Sequence, residues 1–302
     1  MSNSSVLTLN TGKSIPALGF GTWQSKPSEV YDAVLTALKT GYRHIDAAFV
    51  YGNEKEVGKA IKDSGIPRED LFITTKLWNT FHRPEDVSKA LQKSLDNLDL
   101  HYVDLYLMHW PIAFQPGEEL SPKDKDGKIL FDDVDFTETY AAMEKLDKSK
   151  VHAIGVSNFN ISKLKKLAQT QTIVPAANQV ELHPLLPQDD LIKYCKDHEI
   201  LITAYSPLGS TNSPLFKDET VVKIAEKYNV SPAQILISWG LKRGYSVIPK
   251  SVTASRIESN FQTVDLKNDD FENLNNVVKA EKTTRLVDPF NFWGVDVFDE
   301  HN

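Results

Sequence analysis

The 302-residue sequence contains a single cysteine, Cys195, which excludes an intramolecular disulfide and a thiolate-rich metal centre and fits a reducing compartment. It also lacks a basic surplus. The formal net charge is -7, so the positive stripe that phosphate backbones require is not expected, although overall acidity leaves room for a local basic pocket. No run of about 18 apolar residues occurs, and residues 1–10 are polar rather than a charged segment leading into an apolar stretch of roughly 7 to 15 residues. On these absences the chain reads as soluble and cytosolic, with no membrane or nucleic-acid partner. The sequons at Asn3, Asn160 and Asn229 then read as chance matches, because glycosylation needs secretion. No linker rich in Gly, Ser or Pro divides the chain either, so residues 1–302 are expected to form one domain.

What is present is apolar material, 41% of the residues, enough to build a sizeable core. Short β-branched runs alternate with longer segments of helical period, the pattern of repeated βα units around a parallel sheet. Eight strands are predicted at 17–20, 44–46, 71–75, 103–109, 153–157, 177–180, 202–206 and 245–248. Helices are predicted between them, among others over 29–39, 53–62, 85–98 and 161–169, where apolar residues recur at spacings of three and four. The fold class is therefore α/β, a (β/α)8 barrel. Ahead of it, two extended runs around Thr11-Gly12 predict a hairpin over 6–15 that could plug the barrel's bottom. A polar excursion at 112–136 and an aromatic tail at 282–302 stand outside the repeat. The tail has two readings, packing on the barrel exterior or walling a substrate pocket at the active-site face.

Barrels of this kind carry chemistry on strand ends and βα loops at the C-terminal face. Asp46 closes the second predicted strand, Tyr51 follows five residues later, Lys76 follows the third strand and His109 ends the fourth. Each alone has an ordinary explanation: a cap, a core ring, a solvated cation, a satisfied imidazole. Four at equivalent strand ends point to a site. Reducing a carbonyl needs a hydride and a proton for the developing alkoxide, and a phenol with a pKa of about 10 is a poor acid near neutrality. Lys76 is expected to lower that pKa, Asp46 to keep the ammonium charged and oriented, and a neutral His109 to direct the carbonyl oxygen. Trp23, Trp78 and Trp110 follow the first, third and fourth strands and would wall an apolar substrate pocket.

The segments Gly19-Phe20-Gly21-Thr22-Trp23, His44-Ile45-Asp46-Ala47-Ala48-Phe49-Val50-Tyr51-Gly52-Asn53-Glu54, Leu105-Tyr106-Leu107-Met108-His109-Trp110-Pro111, Gly155-Val156-Ser157-Asn158-Phe159 and Ile248-Pro249-Lys250-Ser251 resemble the aldo-keto reductases, in order and over nearly the whole chain. The segments at 175–188 and 204–210 are most similar to fungal members, of the glycerol dehydrogenase and keto-ester reductase types. The resemblance implies a monomeric NADPH-dependent carbonyl reductase without a metal, in which Asp46, Tyr51, Lys76 and His109 are the catalytic four. It implies that Ser157, Asn158 and Gln179 hold the nicotinamide carboxamide, that Tyr205 stacks on the ring, and that Ser206, Leu208 and Ser210 line the pyrophosphate. Lys250, Ser251 and Arg256 would take the 2'-phosphate, which favours NADPH over NADH. Thr22, Trp23, Val252 and Asn260 complete the implied cofactor contacts, and Trp293 joins Trp23, Trp78, His109 and Trp110 around the substrate.

Two departures stand out: Ser259 precedes Asn260 where many relatives carry an acidic residue, and Phe49 sits in the Tyr51 loop. A doubly wound dinucleotide fold is the structural rival, but Gly19-Phe20-Gly21-Thr22-Trp23-Gln24 lacks the third glycine of its fingerprint. Two other functions stay open at this point. One is a polyol or sugar reductase of the glycerol or xylose type, and the other a cofactor-binding regulatory subunit with little turnover.

Overall fold

Gly19 shows how tightly the barrel closes: a Cβ there would fall 2.4 Å from His44 Nδ1, so the first barrel segment can lie against its neighbour only with no side chain. The computed structural model describes residues 5–210, 213–277 and 283–301, and the Asn3 sequon lies outside them. A hairpin of β1 (Val6–Thr8) and β2 (Ser14–Pro16) pairs Leu7 with Ile15. Eight parallel strands follow: β3 (Phe20–Gly21), β4 (His44–Asp46), β5 (Phe72–Leu77), β6 (Val103–Met108), β7 (Val151–Ser157), β8 (Ala177–Glu181), β9 (Leu201–Tyr205) and β10 (Ser246–Val247). Each pairs with the next in chain order. The circle closes where Leu18 bridges Val247, with Gly19 N–H donating to Val247 O and Val247 N–H to Ala17 O.

The hairpin fills one end. Leu9 and Ile15 pack among Phe72, Leu105, Leu107 and Ala177, at the strands' N-terminal side, so the opposite end is the one left for a site.

Helices occur where the apolar spacing places them, at Pro27–Thr40, Glu54–Asp63, Pro84–Leu98 and Ile161–Leu167 among others. In Pro27–Thr40, proline supplies a preformed φ in the first turn and Gly41, at φ 123, ends the helix. Its face toward the sheet is Val30, Ala33, Val34, Ala37 and Leu38. Burying each of the larger three contributes about 1.5 to 3 kcal/mol, which is what holds the helix on the barrel.

Strand limits differ from the sequence reading at instructive places. The third strand runs on through Lys76 and Leu77 because both stay in register with Leu107 and Met108 of β6. The fourth stops at Met108, one residue short of the predicted His109, whose N–H still donates to Leu77 O. Ser206, predicted to end the seventh, lies just beyond it at φ 48, a left-handed turn that a strand cannot continue through.

The 112–136 excursion folds back on itself through bridges between Phe114 and Phe131 and between Lys123 and Ile129. The described tail, 283–301, crosses the mouth rather than the exterior. Its short helix Pro289–Trp293 sets Trp293 with ring centroids 6.0 Å from Trp78, 5.1 Å from Trp110 and 4.9 Å from Phe114.

Candidate active site

The C-terminal strand ends open into one cavity of about 1120 Å³. Beneath it, Asp46 at the end of β4 is 2% exposed and Lys76 in β5 is fully buried. Adjacent parallel strands bring them together, and Lys76 Nζ donates to Asp46 Oδ1 at 2.5 Å and to Ala47 O at 2.8 Å. Gln179 Nε2, reaching across from β8, donates to Asp46 Oδ2 at 2.6 Å. Both carboxylate oxygens are thus engaged, and two of the three ammonium donors are spent, which fixes the cation's place.

Tyr51 ends a 3-10 turn, Phe49–Tyr51, held because Phe49 packs edge-on against Phe81. The Tyr51 ring centroid lies 5.2 Å from Lys76 Nζ and 5.8 Å from the His109 ring. His109 is edge-on to Trp78 at 5.3 Å, and its Nδ1 has no hydrogen-bond partner among the described residues.

Burial dominates the electrostatics here. It holds the Tyr51 phenol well above its usual range, with the Asp46 charge adding to the effect. The physical reason is desolvation, which disfavours the phenolate. The same dryness lowers Lys76, opposed by the Asp46 charge and hydrogen bond, and holds His109 well below its usual value, so His109 is neutral near pH 7.

A second network continues from this cluster. Ser157 Oγ donates to Gln179 O, Asn158 Nδ2 to His109 O, and the Tyr205 hydroxyl to Asn158 Oδ1 at 2.8 Å. Gln24, Asn158, Ser206 and Ser210, all around the mouth, have left-handed backbones, at a cost of about 1 kcal/mol each for residues other than glycine or asparagine. After β10, Lys250 Nζ donates to Gln24 O, Ser251 Oγ accepts from Thr253 N–H, and Arg256 sits in the first turn of the helix Ala254–Phe261.

Every cofactor residue expected from sequence lines this cavity: Thr22, Trp23, Ser157, Asn158, Gln179, Tyr205, Ser206, Leu208, Ser210, Lys250, Ser251, Val252, Arg256 and Asn260. So do Asp46, Tyr51, His109, Trp78, Trp110 and Trp293, while Lys76 lies just behind the wall. Sequence reasoning missed Phe216 and Lys217, on the turn Pro214–Lys217, and Val287 on the tail. No periodic signal marks such loop residues; only the position after the seventh strand, where barrels often bind phosphate, could have suggested Lys217.

The donor set fits a nicotinamide dinucleotide phosphate. Amide-bonding side chains and a ring line the cavity with Tyr51, the cations Lys250 and Arg256 line it too, and the volume exceeds the roughly 300 to 1000 Å³ of ordinary ligand pockets. Among the described residues no group of three or more His, Cys, Asp or Glu is placed to hold a metal ion, and no helix is long and apolar enough to cross a membrane.

A closed (β/α)8 barrel with a phenol beside a buried lysine-carboxylate pair, in a large cavity that is also lined by cations, defines a barrel oxidoreductase. The chain belongs to the aldo/keto reductase family, whose model matches residues 17–279. It is 51% identical over 298 residues to the NADP(+) glycerol 2-dehydrogenase of Saccharomyces cerevisiae, covering 95% of each chain. Identity is also 51%, over 297 residues and the same shares, to an aldehyde reductase of that yeast, and 46% to the D/L-glyceraldehyde reductase of Hypocrea jecorina, covering 99% of this chain and 96% of the relative. The aldose reductase structure from Schistosoma japonicum superposes with a TM-score of 0.92 at 41% identity, covering 99% of this chain and all of that one.

Proposed function

We propose that this aldo/keto reductase, an NADP-dependent oxidoreductase, reduces aldehydes, ketones or keto-esters to alcohols with Tyr51 as the proton donor. The observation that carries the reading is the gathering of Tyr51, His109 and the Asp46–Lys76 pair at the cavity that Lys250 and Arg256 also line. Bound NADPH would supply the hydride. Ser157, Asn158 and Gln179 would hold its carboxamide, Tyr205 would cover its ring, and Ser206, Leu208 and Ser210 would run beside the pyrophosphate. Neutral His109 would donate to the substrate oxygen and hold it beside the Tyr51 hydroxyl. Tyr51, kept protonated by its burial, would pass its proton to that oxygen as the oxygen becomes alkoxide, a far stronger base than the phenolate left behind. Lys76 would stabilise the phenolate and Asp46 would keep the lysine charged. Oxidation of NADPH by an activated aldehyde tests the activity, and its absence would favour a regulatory subunit instead.

Similarity to a glycerol 2-dehydrogenase favours a second reading, in which polyols and their carbonyl products are the substrates. A substrate panel run with both cofactors separates the two. The remaining proposals are a single-domain, monomeric protein of the cytosol that binds no nucleic acid, supported by its acidic charge and lone cysteine.

For the cofactor, Arg256→Ala should weaken NADPH binding by roughly one to two powers of ten, since one charge-assisted hydrogen bond contributes about 1.5 to 3 kcal/mol. NADH should be much less affected, and equal loss for both would remove Arg256 from the 2'-phosphate. The tail makes a separate prediction. Deleting the residues after Asp288 removes Trp293 from Trp78 and Trp110, so Michaelis constants for bulky carbonyls should rise and the preference order change while NADPH affinity stays within a small factor. An unchanged ranking in a folded truncation would deny the tail any part in substrate choice.

A further inference from the structure

Among the contacts that hold the tail over the mouth, which include Thr284 N–H donating to Leu185 O at 2.8 Å and Lys163 pairing with Asp299, two differ in strength. Near its start, the Glu181 carboxylate at the end of β8 accepts the Leu286 N–H on Oε1 and the Val287 N–H on Oε2, each at 2.8 Å. His183 Nε2 lies 2.8 Å from Oε1. Near its end, Asn160 Nδ2 donates to Phe298 O and to the Asp299 carboxylate, which Ser162 also reaches. Glu181 is fully buried, so its bonds are charge-assisted in a dry place, whereas the Asp299 side chain is 48% exposed and competes with water. The first attachment should therefore govern.

From the barrel side, His183 Nε2 is the side-chain group that meets this carboxylate. No lysine or arginine among the described residues forms an ion pair with Glu181, and its two oxygens are turned to backbone amides 105 and 106 residues further along the chain. The residues so held lead straight to the mouth. Val287 lines the cavity, Asp288 caps the helix Pro289–Trp293 by accepting from Phe290 N–H, and that helix delivers Trp293. Arg285, one residue before the held pair, pairs with Glu300 and covers the Phe298 ring at 3.6 Å, so the tail folds back on itself at the same point. Glu181 itself does not line the cavity; it reaches the lining through the tail and through its charge near Tyr205.

We propose that Glu181 is a positioning residue, the latch that seats the tail and thereby sets the fit of bulky, apolar carbonyl substrates against Trp78, Trp110 and Trp293. The inference rests on the carbonyl-reductase reading and deepens it. Small aldehydes need only Tyr51 and His109 and should be indifferent to the latch. Aromatic carbonyls need the wall.

The test uses two variants of the full chain. Glu181→Gln removes the charge and one of the two acceptors, and Leu286→Pro removes one donor from the tail while leaving Glu181 intact. In both, amide hydrogen exchange across 285–299 should speed up by about tenfold or more, in keeping with loss of a charge-assisted bond. KM for an aromatic ketone should rise by a similar factor, about tenfold, with kcat and NADPH affinity within about twofold and KM for a small aldehyde unchanged. Tail exchange that stays at the wild-type rate in both variants would overturn the latch. So would a loss of NADPH affinity in Glu181→Gln with the substrate ranking kept, which marks a merely structural role. If the wild type reduces no carbonyl, the reductase reading fails, and the exchange measurement still decides whether Glu181 holds the tail.

Discussion

Tyr51→Phe should lower kcat for carbonyl reduction by about two to four powers of ten, the usual contribution of a general acid, and leave NADPH affinity within about twofold. The substitution removes one oxygen. The ring keeps its edge-on packing against His109 at 5.8 Å, and the turn Phe49–Tyr51 is held by Phe49 on Phe81, so the local structure should persist. Cofactor contacts are assigned to other strand ends and need no phenol. Steady-state rates with an activated aldehyde, beside cofactor binding followed by protein fluorescence, check both halves. A variant that turns over near the wild-type rate would mean that the proton comes from elsewhere.

Lys76→Met should be the more damaging change, because it removes a cation that both chemistry and packing depend on. Stripping one partner from a buried ion pair costs about 3 to 5 kcal/mol, and here it would leave Asp46, 2% exposed, with only the Gln179 amide. Turnover should fall by at least about a hundredfold, since no charge then stabilises the phenolate as it forms. Adding Asp46→Asn removes the stranded carboxylate. The double variant should regain much of the lost thermal stability but none of the activity, which separates the two roles. Restored turnover in it would show that the lysine serves packing alone.

The pH profile follows from the same pair. Burial lowers Lys76, so its charge is lost as pH rises through a value below the ordinary one of about 10.4, while Tyr51, raised, still holds its proton there. Reduction should therefore fade on an alkaline limb set by Lys76, and that limb should be missing from the residual activity of Lys76→Met.

Much of this site was legible because a parallel barrel turns strand order into spatial order. Once 44–46 and 71–75 are read as neighbouring strands, Asp46 and Lys76 must meet, and the structure places them 2.5 Å apart. The protonation balance at Tyr51 was less legible. A lysine's proximity can be inferred from spacing, but the desolvation that acts on the phenol depends on how side chains from distant segments pack around it.

By itself the sequence determined what rests on local period and repeat: eight βα units, the plugging hairpin, and reactive side chains at strand ends facing one mouth. Only the tertiary structure decided how that mouth is finished. Gln179 reaches Asp46 from 133 residues away and Glu181 takes the amides of Leu286 and Val287 from more than 100, through single polar contacts that carry no periodicity. The tail's aromatic residues could have packed outside as well as over the site. Their place was settled by a buried carboxylate whose partners are backbone amides, and every residue but proline has one of those to offer.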